Sequence, residues 1–148
     1  MLEWKPHLIY VEGGNTFWLQ YCMEKGDYFK DIENACVGPD AYAMYCGKSA
    51  GAIVAGTTIE TALWKGWDDP NVVPSDEKTS YKGLSFVGNT DFFPHMNDDW
   101  NTLVNKKEKE ILPNNLVTLE DTEVCCIYGS EKVFKKISAT SKMTIHNN

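Results

Sequence analysis

Tyr45-Cys46-Gly47-Lys48-Ser49-Ala50-Gly51-Ala52 is the stretch on which the reading of the fold turns. An apolar run, 41–45, arrives at Gly47, and a serine follows two residues on. Ala50-Gly51-Ala52-Ile53-Val54-Ala55 then begins a helix of small residues. Strand, sharp G-x-S-x-G turn, helix is the layout of a nucleophile elbow. Gly47 and Gly51 lack a Cβ, so strand and helix can close around a strained turn that holds the Ser49 hydroxyl outward. The helix start offers free N–H groups and a positive dipole end to a developing oxyanion. A tight turn with an ordinary serine is the plain alternative. A phosphate loop is excluded, because G-x-x-x-x-G-K-S requires glycine where Tyr42 stands.

Working outward, His7-Leu8-Ile9-Tyr10-Val11 reads as a buried strand ended by Gly13-Gly14. Asn15-Thr16 caps a helix that Gly26-Asp27 interrupts, and a second helix is expected over 28–36. Residues 57–80 read as a long loop, a feature that is often functional. Residues 83–87 and 91–95 are expected as strands, and 99–112 as a helix with Trp100, Leu103, Val104 and Ile111 inward. The segments 115–119, 123–128, 132–137 and 142–145 predict a β-meander at one edge of the sheet. Strand–helix–strand–elbow–helix implies a parallel α/β core. Ligands sit beyond the C-terminal ends of such strands, where both Gly13-Gly14 and Ser49 lie.

With 148 residues, one domain with a real core is expected. The net charge of −7 and pI near 4.9 disfavour nucleic acid as partner. Every Lys/Arg-type cation is a lysine; the absence of arginine removes the usual bidentate clamp for carboxylates. The five cysteines, at 22, 36, 46, 125 and 126, show no C-x-x-C spacing, so reduced thiols in a cytoplasmic protein are the simplest account. No secretory signal pattern and no apolar run of spanning length is visible in the sequence, so no membrane partner is expected. No cofactor and no metal is implied.

A nucleophilic serine needs a base and usually an acid to orient it. Of three histidines, His7 opens a strand on the wrong side and His146 lies beside the terminus. His95, after Phe92-Phe93-Pro94, is the candidate base by elimination. For the acid the sequence offers Glu60, Asp68, Asp69 and Asp91; Asp68-Asp69-Pro70 also reads as a turn. The Ala50 N–H is one candidate oxyanion donor, and Gly14 is the natural second.

Taken together, Val11-Glu12-Gly13-Gly14-Asn15-Thr16-Phe17, Gly47-Lys48-Ser49-Ala50-Gly51-Ala52 and Phe93-Pro94-His95 resemble the peptidase E (aspartyl dipeptidase) family, whose relatives include cyanophycinases. The resemblance runs over roughly residues 7 to 137. It implies a three-layer, flavodoxin-like fold of the class I glutamine amidotransferase-like superfamily, with a parallel sheet between helices. It also implies a cofactor-independent serine peptidase acting on small peptides, including dipeptides with N-terminal Asp. In that resemblance Ser49 is nucleophile, His95 base and Asp68 the orienting acid, with Asp69 and Glu60 as alternatives. Gly14 and Ala50 form the oxyanion hole, and Gly13 and Asn15 contact substrate. Glutamine amidotransfer itself is disfavoured, because it needs cysteine where Ser49 stands.

Two departures are visible. Glu12 replaces a frequent glycine, and without arginine an anionic substrate side chain needs lysine, backbone N–H groups or a helix N-terminus. The resemblance also implies strands and helices ahead of the first strand that this sequence does not show, either because it is a piece of a longer protein or because the domain is a reduced one. A sheet edge left open in this way predicts pairing with a second copy of the chain, which light scattering would detect. A non-catalytic binding domain that keeps the motifs is the competing functional reading.

Overall fold

The computed structural model describes residues 5–77, 79–109, 114–128 and 133–138. β1 (Leu8–Val11) is followed by α1 (Thr16–Lys25), α2 (Tyr28–Cys36) and β2 (Met44–Gly47). The short α3 (Ala50–Val54) comes next, then two 3-10 turns, Glu60–Leu63 and Pro70–Val72. β3 (Thr90–Pro94), a 3-10 turn at Asp98–Trp100, α4 (Asn101–Glu108) and β4 (Asn115–Leu119) complete the second unit. β5 (Glu123–Tyr128) and β6 (Val133–Ser138) follow. The architecture is mixed α/β, and the described strands pair as three two-stranded ladders.

The first two ladders are parallel, and both are closed by helical crossovers, the connection that parallel strands require. β1 and β2 align Val11 with Gly47, so Glu12-Gly13-Gly14 emerges beside Lys48-Ser49. β3 and β4 align Pro94 with Leu119, so the residues after each strand also emerge side by side. These two registers set the site.

Local chemistry explains the elements. The Asn15 side chain accepts the Trp18 N–H and starts α1, which stops at Gly26. α2 buries Ile32 and Ala35 along one stripe. β3 is buried at every position. Phe17, Met23, Ile32, Ile53, Val54, Ile59 and Ala62 form the main core beneath the elbow. Asp91, although buried, is satisfied by the Thr58 N–H at 2.7 Å and the Asn114 amide at 2.9 Å. It therefore ties the 57–59 loop to β3 and is not a partner of His95.

The elbow glycines are required by close approach. A Cβ on Gly47 would stand 2.3 Å from the Gly51 oxygen, and one on Gly51 would stand 2.1 Å from the Val11 oxygen. Both obstacles are backbone, which cannot swing aside. Gly51→Ala is expected to destabilise the fold by about 3 kcal/mol, at the upper end of overpacking costs. Urea denaturation of wild type and variant measures it; a loss below about 0.5 kcal/mol would contradict the close approach.

Several expectations are corrected. Residues 83–87 are not a strand. Their N–H groups bond the carbonyls at the end of α3 instead: Leu84 to Val54, Ser85 to Gly56 and Phe86 to Ala55. Ser85 takes a left-handed φ of 53°. The strand expected over 41–45 begins only at Met44, because the Tyr42 and Ala43 N–H groups turn back to the Ala35 oxygen. The expected meander is reduced: β4 pairs parallel with β3, and β5–β6 alone form an antiparallel hairpin. The helix expected over 99–112 is described through Glu108, with Val104 buried. Ile111, residues 142–145 and His146 lie outside the described residues.

One face of β1–β2 is covered by helices. The opposite face leaves Leu8, Tyr10 and Met44 half or more exposed, so β1 forms where expected but is not the buried strand that its apolar run predicts. No helix among the described residues is long and apolar enough to cross a membrane.

Candidate active site

Ser49 sits at the tip of the elbow with φ 52° and ψ −112°, a region that L-residues visit only when the surroundings impose it. The clasp of Gly47 and Gly51 imposes it here, together with the Gly51 N–H on the Lys48 oxygen and the Ile53 N–H on the Ser49 oxygen. The hydroxyl is thereby turned away from the core. His95 lies one residue beyond β3, also left-handed at φ 56°. Its Nε2 is 2.8 Å from Ser49 Oγ. Its Nδ1 is 2.5 Å from Asp121 Oδ1.

The protonation pattern follows from the partners. An ionised carboxylate can only accept, so Nδ1 carries the proton and donates to Asp121. Nε2 is then the acceptor and receives the Ser49 hydroxyl. Asp121 itself is 77% exposed at its side chain. Orientation of the imidazole therefore rests on the hydrogen bond and on the turn carrying it. That turn is closed by the Glu123 N–H on the Glu120 oxygen and the Glu120 N–H on the Glu123 carboxylate. It is anchored to β3 by the Met96 N–H on the Leu119 oxygen.

Asp121 was not among the candidate acids, and Asp68 does not meet His95. The Asp68 carboxylate accepts the Thr16 N–H at 3.1 Å and the Thr16 hydroxyl at 2.5 Å. It thus caps the start of α1, where a negative charge is favoured, while still lining the pocket beside Ser49. Asp69 caps the turn that follows, accepting the Asn71 N–H. Glu60 is exposed at the start of its 3-10 turn. The signal for Asp121 lay in the parallel register: an acid just past the strand paired with the one that ends at Pro94. Reading 115–119 as part of an antiparallel meander hid it.

The remaining expected residues converge on the same edge. A Cβ on Gly13 would stand 3.1 Å from Ser49 Cβ and 3.6 Å from its Oγ, so the Gly13-Gly14 segment lies against the nucleophile. Gly14 has a φ of 138°. Ala50 is the first residue of α3, so its N–H has no acceptor within that helix. The Asn15 amide is engaged at both ends, by the Trp18 N–H and the Asp69 oxygen. A substrate contact at Asn15 would have to displace one of these bonds.

The pocket beside Ser49 is also lined by Ile53, Thr61, Lys65, Trp67 and Phe93. The Trp67 ring stands 5.9 Å from the His95 ring and edge-on to Trp100 at 5.6 Å, forming an exposed aromatic wall over the imidazole. Beside the elbow, Lys48 and Glu12 form an exposed ion pair of 3.0 Å. The Gly13 N–H, Lys48 and the Tyr10 hydroxyl together hold the Glu12 carboxyl below its ordinary range. Among the described residues no cluster of His, Cys, Asp and Glu suits a metal ion.

The profile of peptidase family S51 matches residues 2–135. A Listeria monocytogenes EGD-e protein assigned as a peptidase E, known from a 1.5 Å crystal structure, superposes with a TM-score of 0.68 at 26% identity. The match covers 90% of this chain and 61% of that protein, so the chain spans less than two thirds of this neighbour's length. No curated protein matches. With a profile that runs over most of the sequence and carries the elbow, the glycine segment and His95 within it, the chain belongs to peptidase family S51.

Proposed function

We propose that this chain is a serine peptidase in which Ser49, His95 and Asp121 act as the catalytic triad. The observation that carries this reading is the continuous line Ser49 Oγ, His95 Nε2, His95 Nδ1, Asp121 Oδ1, with contacts of 2.8 and 2.5 Å. His95 takes the proton as Ser49 Oγ attacks the scissile carbonyl, and Asp121 stabilises the imidazolium. The Ala50 and Gly14 N–H groups receive the oxyanion. His95 then gives the proton to the leaving amine, and water, activated by the same imidazole, releases the acyl group.

The substrates we propose are small peptides, including dipeptides with N-terminal Asp. The small pocket walled by Trp67 favours a short chain. Lys48, next to Ser49 in the chain and paired with Glu12 at 3.0 Å, supplies the cation for an acidic N-terminal side chain. We read the two parallel ladders as portions of one three-layer flavodoxin-like sheet, since α3 packs against both.

A dipeptide library tests the activity and the preference together. Hydrolysis of Asp-X dipeptides ahead of Ala-X and Leu-X is the expected outcome. Equal rates would remove the acidic preference and leave the triad. Binding without turnover of any member would favour the binding-domain reading.

A further inference from the structure

The hydrolytic reading leaves one cation at the site without a task. Lys65 follows the 3-10 turn Glu60–Leu63 and reaches back to the end of β3. Its Nζ donates to the Pro94 oxygen and, at 3.1 Å, to the His95 oxygen. It also lies over three aromatic rings, Phe93 at 4.2 Å, Trp67 at 4.6 Å and Trp100 at 5.6 Å. Among the described residues no carboxylate lies within ion-pair distance of it. A half-buried ammonium with no carboxylate in direct contact is costly, and a solvated lysine would serve the surface equally well.

The two carbonyls explain the arrangement. Pro94 C=O belongs to the peptide group before the His95 Cα, and His95 C=O to the one after it. Fixing both planes fixes φ and ψ of His95. That residue is a non-glycine held at φ 56°, a conformation that persists only where surrounding contacts over-determine it. A relaxation of His95 toward negative φ would swing the imidazole out of the line between Ser49 and Asp121.

We infer that Lys65 is a positioning residue for His95: its ammonium clamps the peptide carbonyls on either side of the His95 Cα and so holds the imidazole between Ser49 and Asp121. The inference rests on the triad proposed above and adds a residue to it that touches neither substrate nor reacting atoms.

The clamp carries a pH signature. Burial lowers the Lys65 pKa to about 8, with the Asp121 and Asp68 carboxylates pulling it back up. These are the charged groups facing Lys65, Asp68 from the loop before Pro70 and Asp121 from the turn after β4. β3 and its end contribute Phe93, Pro94 and the His95 ring, and the 98–100 turn contributes Trp100. Lys65 is cationic below its pKa and neutral above it, so the charge-assisted bonds to the two carbonyls weaken as pH rises through about 8.

The test uses the full chain with Lys65→Met and Lys65→Arg, each checked for folding by thermal unfolding. Lys65→Met is expected to lower kcat about 10- to 100-fold with KM within about twofold, the scale of a small misplacement of a reacting group. It should also lose the decline of kcat above about pH 8. Lys65→Arg should keep most of kcat and move that decline to higher pH, because guanidinium stays charged. Wild-type kcat in Lys65→Met overturns the inference. A raised KM at unchanged kcat overturns it too, since it would make Lys65 a substrate contact. If Lys65→Met does not fold, the profile of Lys65→Arg decides alone, and an unmoved alkaline decline is the contrary result.

Failure of the underlying triad would show separately, as a wild type that neither turns over nor reacts with a fluorophosphonate. The clamp is then read directly from the His95 imidazole by 15N-edited NMR. Loss of the hydrogen-bonded Nδ1 proton signal in Lys65→Met supports it, and an unchanged signal overturns it.

Discussion

Ser49→Ala is expected to lower kcat by about a million-fold, the loss seen when a triad nucleophile is removed, and to leave the fold intact. The size follows from the role: without Oγ there is no acyl intermediate, and only residual stabilisation of the oxyanion remains. The fold should survive because alanine has the same backbone requirement as serine at φ 52°. The variant loses one hydrogen bond, to His95 Nε2, worth about 1 kcal/mol at a partly exposed position. Turnover and urea denaturation measured on one preparation separate the two effects. A Ser49→Ala protein with wild-type turnover would remove Ser49 from the mechanism. An unfolded one would show that the serine is structural.

Asp121→Asn and Asp68→Asn form the second decisive pair, because they exchange the roles expected from sequence and from structure. Asn at 121 can turn its amide N–H₂ toward Nδ1, which stabilises the tautomer with the proton on Nε2. That ring can no longer accept from Ser49. A kcat loss of about 10⁴-fold is expected, as for the same substitution in other serine triads. Stability should hardly change, because Asp121 is largely exposed.

Asp68→Asn should behave in the opposite way. It weakens the two Thr16 bonds and removes a negative charge from the start of α1. The expected cost is about 1–2 kcal/mol of stability, with kcat within about tenfold of wild type. Parallel kcat and denaturation measurements check both variants. A large kcat loss in Asp68→Asn with none in Asp121→Asn would return the orienting role to Asp68.

The contrast between these carboxylates shows what the sequence made legible. Gly47, Ser49 and Gly51 were readable because the elbow is local: eight consecutive residues contain the strand end, the turn and the helix start. β1 and α2 were readable for the same reason, as a compact apolar run and a helical stripe bounded by glycine or proline. His95 was found by elimination among three histidines, which needs no geometry.

Asp121 required a non-local fact, the parallel alignment of Pro94 with Leu119 across α4. Residues 115–119 have β-type composition, and composition alone does not distinguish a parallel partner from the first strand of a meander. Asp68-Asp69-Pro70 drew attention because it stands in a long loop near the elbow. The Asp69 carboxylate takes the local turn role usual for Asp beside Pro, and that of Asp68 caps the distant start of α1. Residues 83–87 failed for a related reason. Their alternation resembles a strand, but the carbonyls left open at the end of the five-residue α3 captured their N–H groups. Lys65 had no signal in sequence, because its meaning lies in two carbonyls some thirty positions away.

The central claim is that Ser49 is an activated nucleophile, and covalent labelling measures it most directly. Wild-type protein, Ser49→Ala and His95→Ala are incubated with a fluorophosphonate and analysed by intact mass and peptide mapping. The account predicts one adduct on wild type, carried by the peptide containing Ser49. It predicts no adduct on Ser49→Ala, and a rate on His95→Ala lower by at least about a hundredfold, as befits loss of the general base. A folded wild-type protein that takes no label, or that labels equally fast without His95, would contradict it.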